Sequence, residues 1–338
     1  KTFTVVFPGE KKYNEGPYAK LVSEHFGTDH MELVCEAADV SLLESLARQY
    51  DEPISDSSMV PTYLVSRQIR RHATVALGGD GGDELFGGYE QHRLDLRLYR
   101  WRRFFPSPLR KFLRTGVRRW VPRGRYGRTI MLGLLAEDET CFAELPKVFD
   151  EDIRKRLLPL NLQSSRQIFR RPEELREQLL RQWRDPLERV CRGDFHTVLP
   201  EDILVKVDRA SMLTSLEVRA PFLNHAIVEF AFGVVPVSLR GNAGEGKILV
   251  RNLAKQLLPK QMDLTRKQGF ALPLQSWFQG AWGDYCRDIL HEARELYEPA
   301  MIDQLFQEQE RGFFHTHRIF ALTVLELWRR AYNVALPA

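Results

Sequence analysis

Leu77-Gly78-Gly79-Asp80-Gly81-Gly82-Asp83-Glu84-Leu85-Phe86-Gly87-Gly88-Tyr89 constrains this chain more than any other segment, because it joins a glycine-rich loop to three carboxylates. Glycines let backbone N–H groups approach an anion closely. Asp80, Asp83 and Glu84 would repel a phosphate unless a hard divalent cation, Mg²⁺ above all, stood between them. A metal–nucleotide site reconciles the two; taken alone, a polar turn after the apolar strand Thr74–Leu77 also accounts for the pattern. The segment contains no G-x-x-x-x-G-K-[ST], and position twelve counted from Asp80 is Gln91 rather than the Glu of a calcium loop.

What precedes the loop alternates in the α/β manner. Thr2–Phe7 and His30–Val34 read as strands, Gly16–Phe26, Val40–Tyr50 and Pro61–His72 as helices, and Thr74–Leu77 as a strand again. That alternation predicts a parallel sheet covered by helices, with ligands at the carboxyl ends of its strands. After Tyr89 helical patterns dominate: Pro172–Trp183, Leu204–Leu216, Ile248–Leu258 and His317–Val334, with Gly241–Gly246 as a flexible loop ahead of Lys247. The fold class is therefore α/β, a parallel sheet with flanking helices followed by a largely helical subdomain. Its parts are an α/β portion over 1–90, a basic insert over 91–130 and a mostly helical portion over 131–338.

With 338 residues and 43% hydrophobic content the chain can bury a sizeable core. No apolar run approaches the roughly 18 residues of a spanning helix, and the N-terminus lacks a signal-peptide layout, so a cytoplasmic location is expected. Cys35, Cys141, Cys191 and Cys286 form no C-x-x-C and read as reduced, mostly packed thiols. The net charge of +4 is unevenly placed: Arg93–Arg128 holds thirteen Lys or Arg against the single acid Asp95, with aromatics interleaved. RNA or anionic lipid could meet such a stretch. The preferred reading is a helical insert whose apolar face packs while its arginines are solvated or paired, so a nucleic-acid partner is not expected.

Four further segments join the loop in a set that resembles a known family. They are Asp51-Glu52-Pro53 with Ser57-Ser58; Leu199-Pro200-Glu201-Asp202-Ile203-Leu204 running into Lys206–Met212; Ser215–Asn224; and Arg266-Lys267-Gln268-Gly269-Phe270 with Pro273. In this order they resemble the C-terminal synthetase domain of glutamine-hydrolysing asparagine synthetases, which are adenylating enzymes of the pyrophosphatase-loop type with an adenine nucleotide alpha hydrolase-like fold.

The resemblance implies an ATP- and Mg²⁺-dependent ligase that adenylates the side-chain carboxylate of aspartate and transfers ammonia, giving asparagine, AMP and pyrophosphate. It implies that Asp83 helps hold Mg²⁺, that Asp80 stands where the family carries an acid implicated in ammonia attack, and that Lys267 stabilises charge on the adenylate. It implies a place for Lys247 near pyrophosphate, with Gly78 and Gly79 in the nucleotide loop and the Val5 backbone framing adenine. Asp208 and Arg209 fall in a segment the family sets beside the acyl site. On the residues themselves, Asp83 could equally cap a helix starting near Glu84, Lys247 could simply be solvated, Val5 is a core side chain, and Glu217 and Arg219 read as a structural ion pair.

Two family features are not found in this sequence: the Ser-Gly-Gly-X-Asp-Ser pyrophosphate loop and the glutaminase domain. Both are expected upstream of Lys1, in a fragment or split gene product, so the 338 residues by themselves are expected to be inert. The resemblance leaves a homodimer open. It also leaves open the same adenylation chemistry on another carboxylate, such as a sugar acid or a peptide, and a non-catalytic, RNA-associated relative.

Overall fold

The computed structural model describes residues 1–6, 14–34, 39–122, 125, 127–136, 148–149, 151–159, 172–265 and 277–335. Among these residues four short strands lie among many helices: β1 (Thr2–Val6), β2 (His30–Val34), β3 (Val75–Leu77) and β4 (Glu217–Arg219). β1 pairs in parallel with β2, Thr2 opposite His30, and β3 pairs in parallel with β4, Val75 opposite Glu217. The α/β class and parallel pairing are as the alternation predicts. Among the described residues, though, the strands form two separate pairs rather than one sheet. β4 carries no apolar alternation long enough to announce itself; it is a strand because β3 is there to pair with it.

The helix over Gly16–Phe26 that crosses from β1 to β2 opens with a proline in its first turn and ends at Gly27, whose φ of 60° closes it in the left-handed region. The Leu42–Gln49 helix buries Leu43, Leu46 and Ala47, a spacing that puts all three on one face. That face meets Met59 and Val60 of the Met59–Ile69 helix and Phe320, Val324 and Leu327 of the Thr316–Ala331 helix, forming the main core. A second core joins Cys286 and Leu290 to Met301, Leu305 and Ile319. Cys191 and Cys286 are the free thiols among the described residues, both buried. Cys35 and Cys141 lie outside the described residues. No helix among the described residues is long and apolar enough to cross a membrane.

The basic insert is helical, over Glu90–Arg102, Ser107–Trp120 and Arg128–Leu134; the first and third helices pack as expected, Leu94 and Leu98 meeting Leu134 and Ala136, but the second does not. In its first helix Arg102 is buried beside Asp95, 3.8 Å away. In the second, no residue is buried, and Phe112 and Trp120 are 76% and 77% exposed. The apolar face that should have packed points away from the body. Periodicity reports that a helix has two faces; which one meets the protein is decided by the neighbouring elements.

Candidate active site

Backbone geometry explains the glycines of the central loop. The Gly78 N–H donates to the Arg219 carbonyl at 2.8 Å, so the β3–β4 pairing continues into the loop and fixes its start. Gly81 has φ 91°, and a β-carbon there would fall 2.2 Å from Leu223 Cδ2, so only glycine fits. Gly82–Phe86 then forms a short helix that ends at Gly87, with φ 64°. The helix begins at Gly82 and Gly81 is its cap, with no side-chain cap hydrogen bond, so Asp83 is not the capping residue. A β-carbon on Gly88 would collide with the Asp83 carboxylate at 2.0 Å, so this glycine leaves room for the acid.

The three carboxylates part company. Glu84 is 1% exposed and accepts a 2.6 Å hydrogen bond from the Tyr89 hydroxyl. Burial pushes its carboxyl upward despite that bond. Behind it the Tyr89 ring meets His92 edge-on, and His92 Nε2 lies 2.8 Å from Asp194, which also binds Arg176 at 2.6 Å. Glu84 therefore anchors the loop to a buried polar network at the cavity wall, while Asp80 and Asp83 are the less buried acids of the loop.

Asp80 and Asp83 line a cavity of about 630 Å³ at the carboxyl end of β3, together with Gly78, Gly79, Asp56 and Lys206. Lys206 Nζ donates to Asp56 Oδ2 at 2.7 Å, and Ser58 supplies both its backbone N–H and its hydroxyl to the same carboxylate. Burial raises Asp56, but the Lys206 ammonium and the Ser58 donors outweigh it and hold the acid below its ordinary value. Asp80 goes the other way. Burial raises it, the nearby Asp83 adds to the rise, and Lys206 opposes it. Asp202, on the π-helical turn Leu199–Leu204, is pushed up to about 6 by burial and by Asp56, and its Oδ1 is buried without a hydrogen-bond partner.

A second cavity, of about 590 Å³, opens beside β1 and is lined by Thr2, Phe3, Thr4, His30, Lys247 and Arg251 among others. Asp83 belongs to the walls of both cavities and joins them. Lys247 Nζ stands 3.1 Å from Asp83 Oδ2. The Gly241–Gly246 loop that delivers it is tied down rather than flexible. Gly241 and Gly246 form a bridge, Asn242 Oδ1 accepts two backbone N–H groups, and a β-carbon on Gly246 would meet the Gly87 carbonyl at 2.2 Å. Lys247 itself has φ 55° and its N–H donates to Phe86 O at 2.8 Å. A cation is thus held against the loop by backbone geometry.

No group of three or more His, Cys, Asp or Glu among the described residues could hold a metal by itself. The arrangement fits Mg²⁺ of the phosphate-bound kind, which takes one or two carboxylates from the protein and its other ligands from phosphates and water. Asp83, on the wall of both cavities and paired with Lys247, is an acid that could hold it.

The remaining sequence candidates fall in different places. Val5 faces the main core, while its strand neighbours Thr2–Thr4 line the second cavity. Arg209 grips Asp51 through two 3.1 Å hydrogen bonds and Asp208 through one of 2.9 Å. These three side chains form a surface cluster that lines neither cavity. Glu217 and Arg219 do pair, at 2.7 Å, but on the exposed side of β4. Lys267 lies outside the described residues. Asp56, Lys206 and Asp202 were not picked out as site residues from sequence. The signal available was a charge, Lys206, inside the apolar Leu204–Leu216 pattern, which does not reveal a partner 150 residues away.

With this geometry in place, comparison with known proteins is direct. Residues 1–330 match the Asparagine synthase family. The chain is 29% identical to asparagine synthetase [glutamine-hydrolyzing] 1 of Bacillus subtilis over 97% of its length, covering 51% of that protein. It is 33% identical to a putative asparagine synthetase [glutamine-hydrolyzing] 2 of Methanocaldococcus jannaschii over 65% of its length and 41% of that protein. It is also 21% identical to amidase chry2 of Gibberella zeae, over 82% of this chain and 44% of the other. The chain belongs to the asparagine synthase family, and it spans about half the length of the curated relatives it matches.

Proposed function

We propose that this chain is the synthetase part of an ATP- and Mg²⁺-dependent amide-forming ligase, which adenylates the side-chain carboxylate of aspartate and passes the acyl group to ammonia. The observation that carries this reading is the pair of cavities joined at Asp83. One has a carboxylate and a lysine–carboxylate pair for an acceptor, and the other has Lys247 and Arg251 for an anion. In this reading the nucleotide lies along β1, Lys247 and Arg251 face its phosphates, and Asp83 holds Mg²⁺, which offsets phosphate charge as pyrophosphate leaves.

Asp80 takes up a proton from the incoming ammonium, leaving ammonia as the nucleophile that attacks the acyl carbon as AMP departs. Burial raises the Asp80 carboxyl, which makes it a better base than an exposed one. Lys206 faces Asp80 and limits that rise, and the Lys206–Asp56 pair offers both signs of charge to an amino-acid acceptor. Lys267 is assigned to the adenylate by its sequence segment, and Asp208 and Arg209 act at a distance, through the position of Lys206 on the same helix. In the full protein an upstream glutaminase domain supplies the ammonia. The division into an α/β part, a basic insert and a helical part is retained as a proposal, as is the cytoplasmic setting.

A second reading keeps the chemistry and enlarges the acceptor. The first cavity continues past the charged pair along Val65, Ile69, Leu216 and Val218, an apolar wall for which aspartate has no use. Pyrophosphate release by the full protein, supplied with ammonia, ATP and Mg²⁺, decides between them. Aspartate-dependent release supports the first reading. Release that needs a larger carboxylate and ignores aspartate supports the second, and no carboxylate-dependent release overturns both.

A further inference from the structure

The Ser107–Trp120 helix is built the wrong way round for a helix that only packs on its own domain. Leu109, Phe112, Leu113, Gly116 and Trp120 recur at the spacing of one helical face. That face carries the exposed large side chains of the helix. The side turned towards the body carries Arg110, Arg114 and Val117, while Lys111, Arg118 and Arg119 stay exposed. Arg110 and Arg114 are half-buried, and Arg110 Nη1 donates to the Ala136 carbonyl at 2.7 Å. The preceding turn adds Trp101 and Phe104, both exposed, with rings 6.0 Å apart. The helix contains five Lys or Arg and no acid, in a 36-residue stretch whose local charge is +12.

Hiding this face would save considerable free energy, yet the domain leaves it outward. The surrounding charge says what can cover it. A second copy would bring two such positive patches together, which repulsion opposes. RNA would need the cations foremost and flat rings to stack on. Leu109 and Leu113 neither pair nor stack with bases, and Arg110 and Arg114 are turned inwards. An anionic bilayer matches both properties at once, since it takes leucine and aromatic side chains below its headgroups and attracts the cations around them.

We propose that the Ser107–Trp120 helix is an interfacial anchor that seats Leu109, Phe112, Leu113 and Trp120 in an anionic lipid surface, with Lys111, Arg118 and Arg119 held in the field of its headgroups. The anchor places the domain at a membrane without spanning it, and it is independent of the acyl-adenylate reading.

The test is co-sedimentation of the full protein with vesicles of phosphatidylcholine alone or mixed with phosphatidylglycerol, with tryptophan emission recorded alongside. The protein should sediment with the anionic vesicles and blue-shift its emission, and do neither with the neutral ones. Phe112→Ser with Trp120→Ser, at positions already exposed, should keep the far-UV spectrum and thermal transition and lose the binding. Arg118→Gln with Arg119→Gln should weaken it at least about fivefold, the worth of one cation near such a surface. The proposal is overturned if the wild type ignores anionic vesicles at low salt, or if the folded double-serine variant binds them as well as the wild type. Retention of RNA without vesicle binding overturns it too, as does a Phe112- and Trp120-dependent dimer that leaves vesicles unbound.

Discussion

Among single residues, the acids of the loop differ by environment rather than by type, and each environment sets its own test. Asp80→Ala should cut turnover by about two orders of magnitude or more, the scale of a general base, in a protein whose thermal transition is unchanged; wild-type turnover would remove Asp80 from the mechanism. Asp83→Asn keeps shape and loses charge, so titration calorimetry should show Mg²⁺-dependent ATP affinity falling steeply, while unaltered affinity would return Asp83 to a partner of Lys247 alone. Asp202 gives a pH signature. Its rise from 3.8 to about 6 means that the folded state holds the proton more tightly than the unfolded chain, so stability falls as pH rises from about 4 to about 6. The ionised acid then costs ~3 kcal/mol above that window. Asp202→Asn should therefore raise stability at neutral pH by up to that amount and flatten the slope between, as read from urea unfolding at several pH values. An unchanged slope would show that Asp202 is solvated. Asp80 and Asp83 were legible in the sequence because glycines and acids share one segment. Asp56 was not, because the lysine that gives it meaning arrives from a helix 150 positions on.

At the level of elements, the loop, its short helix and the Lys247 turn hold their geometry through positions where no side chain fits. Gly81→Ala would pair a left-handed φ with a collision against Leu223, costing roughly 2–3 kcal/mol. Chemical denaturation should show that loss, and a cost within experimental error would mean that the loop relaxes freely. Sequence periodicity located helices such as Gly16–Phe26, Leu42–Gln49 and Ile248–Leu257 to within a few residues, but it did not single out Pro186–His196, Ala281–Glu292 or Pro299–Glu310. It could not reveal β4, three residues whose strand character depends on β3. Nor could it say which way the Ser107–Trp120 helix faces. The glycine-flanked loop before Lys247 read as flexible because glycine permits motion. Here it is used for close approach to Gly87.

Across the whole molecule, two parallel strand pairs and a helical body bring segments far apart in sequence to one junction, Asp83, with a cavity on either side. Family membership accounts for the ordered motifs, and the geometry gives each side of that junction its chemistry. In the proposed reaction a carboxylate in the first cavity attacks the α-phosphorus of a nucleotide in the second, and pyrophosphate leaves. Following oxygen tests this directly. The full protein is given ATP, Mg²⁺, ammonia and aspartate labelled with ¹⁸O in its side-chain carboxylate, and the AMP formed is weighed by mass spectrometry. Adenylation followed by amide formation leaves one labelled oxygen in AMP, whereas AMP without label, or label appearing in inorganic phosphate instead, would contradict the account.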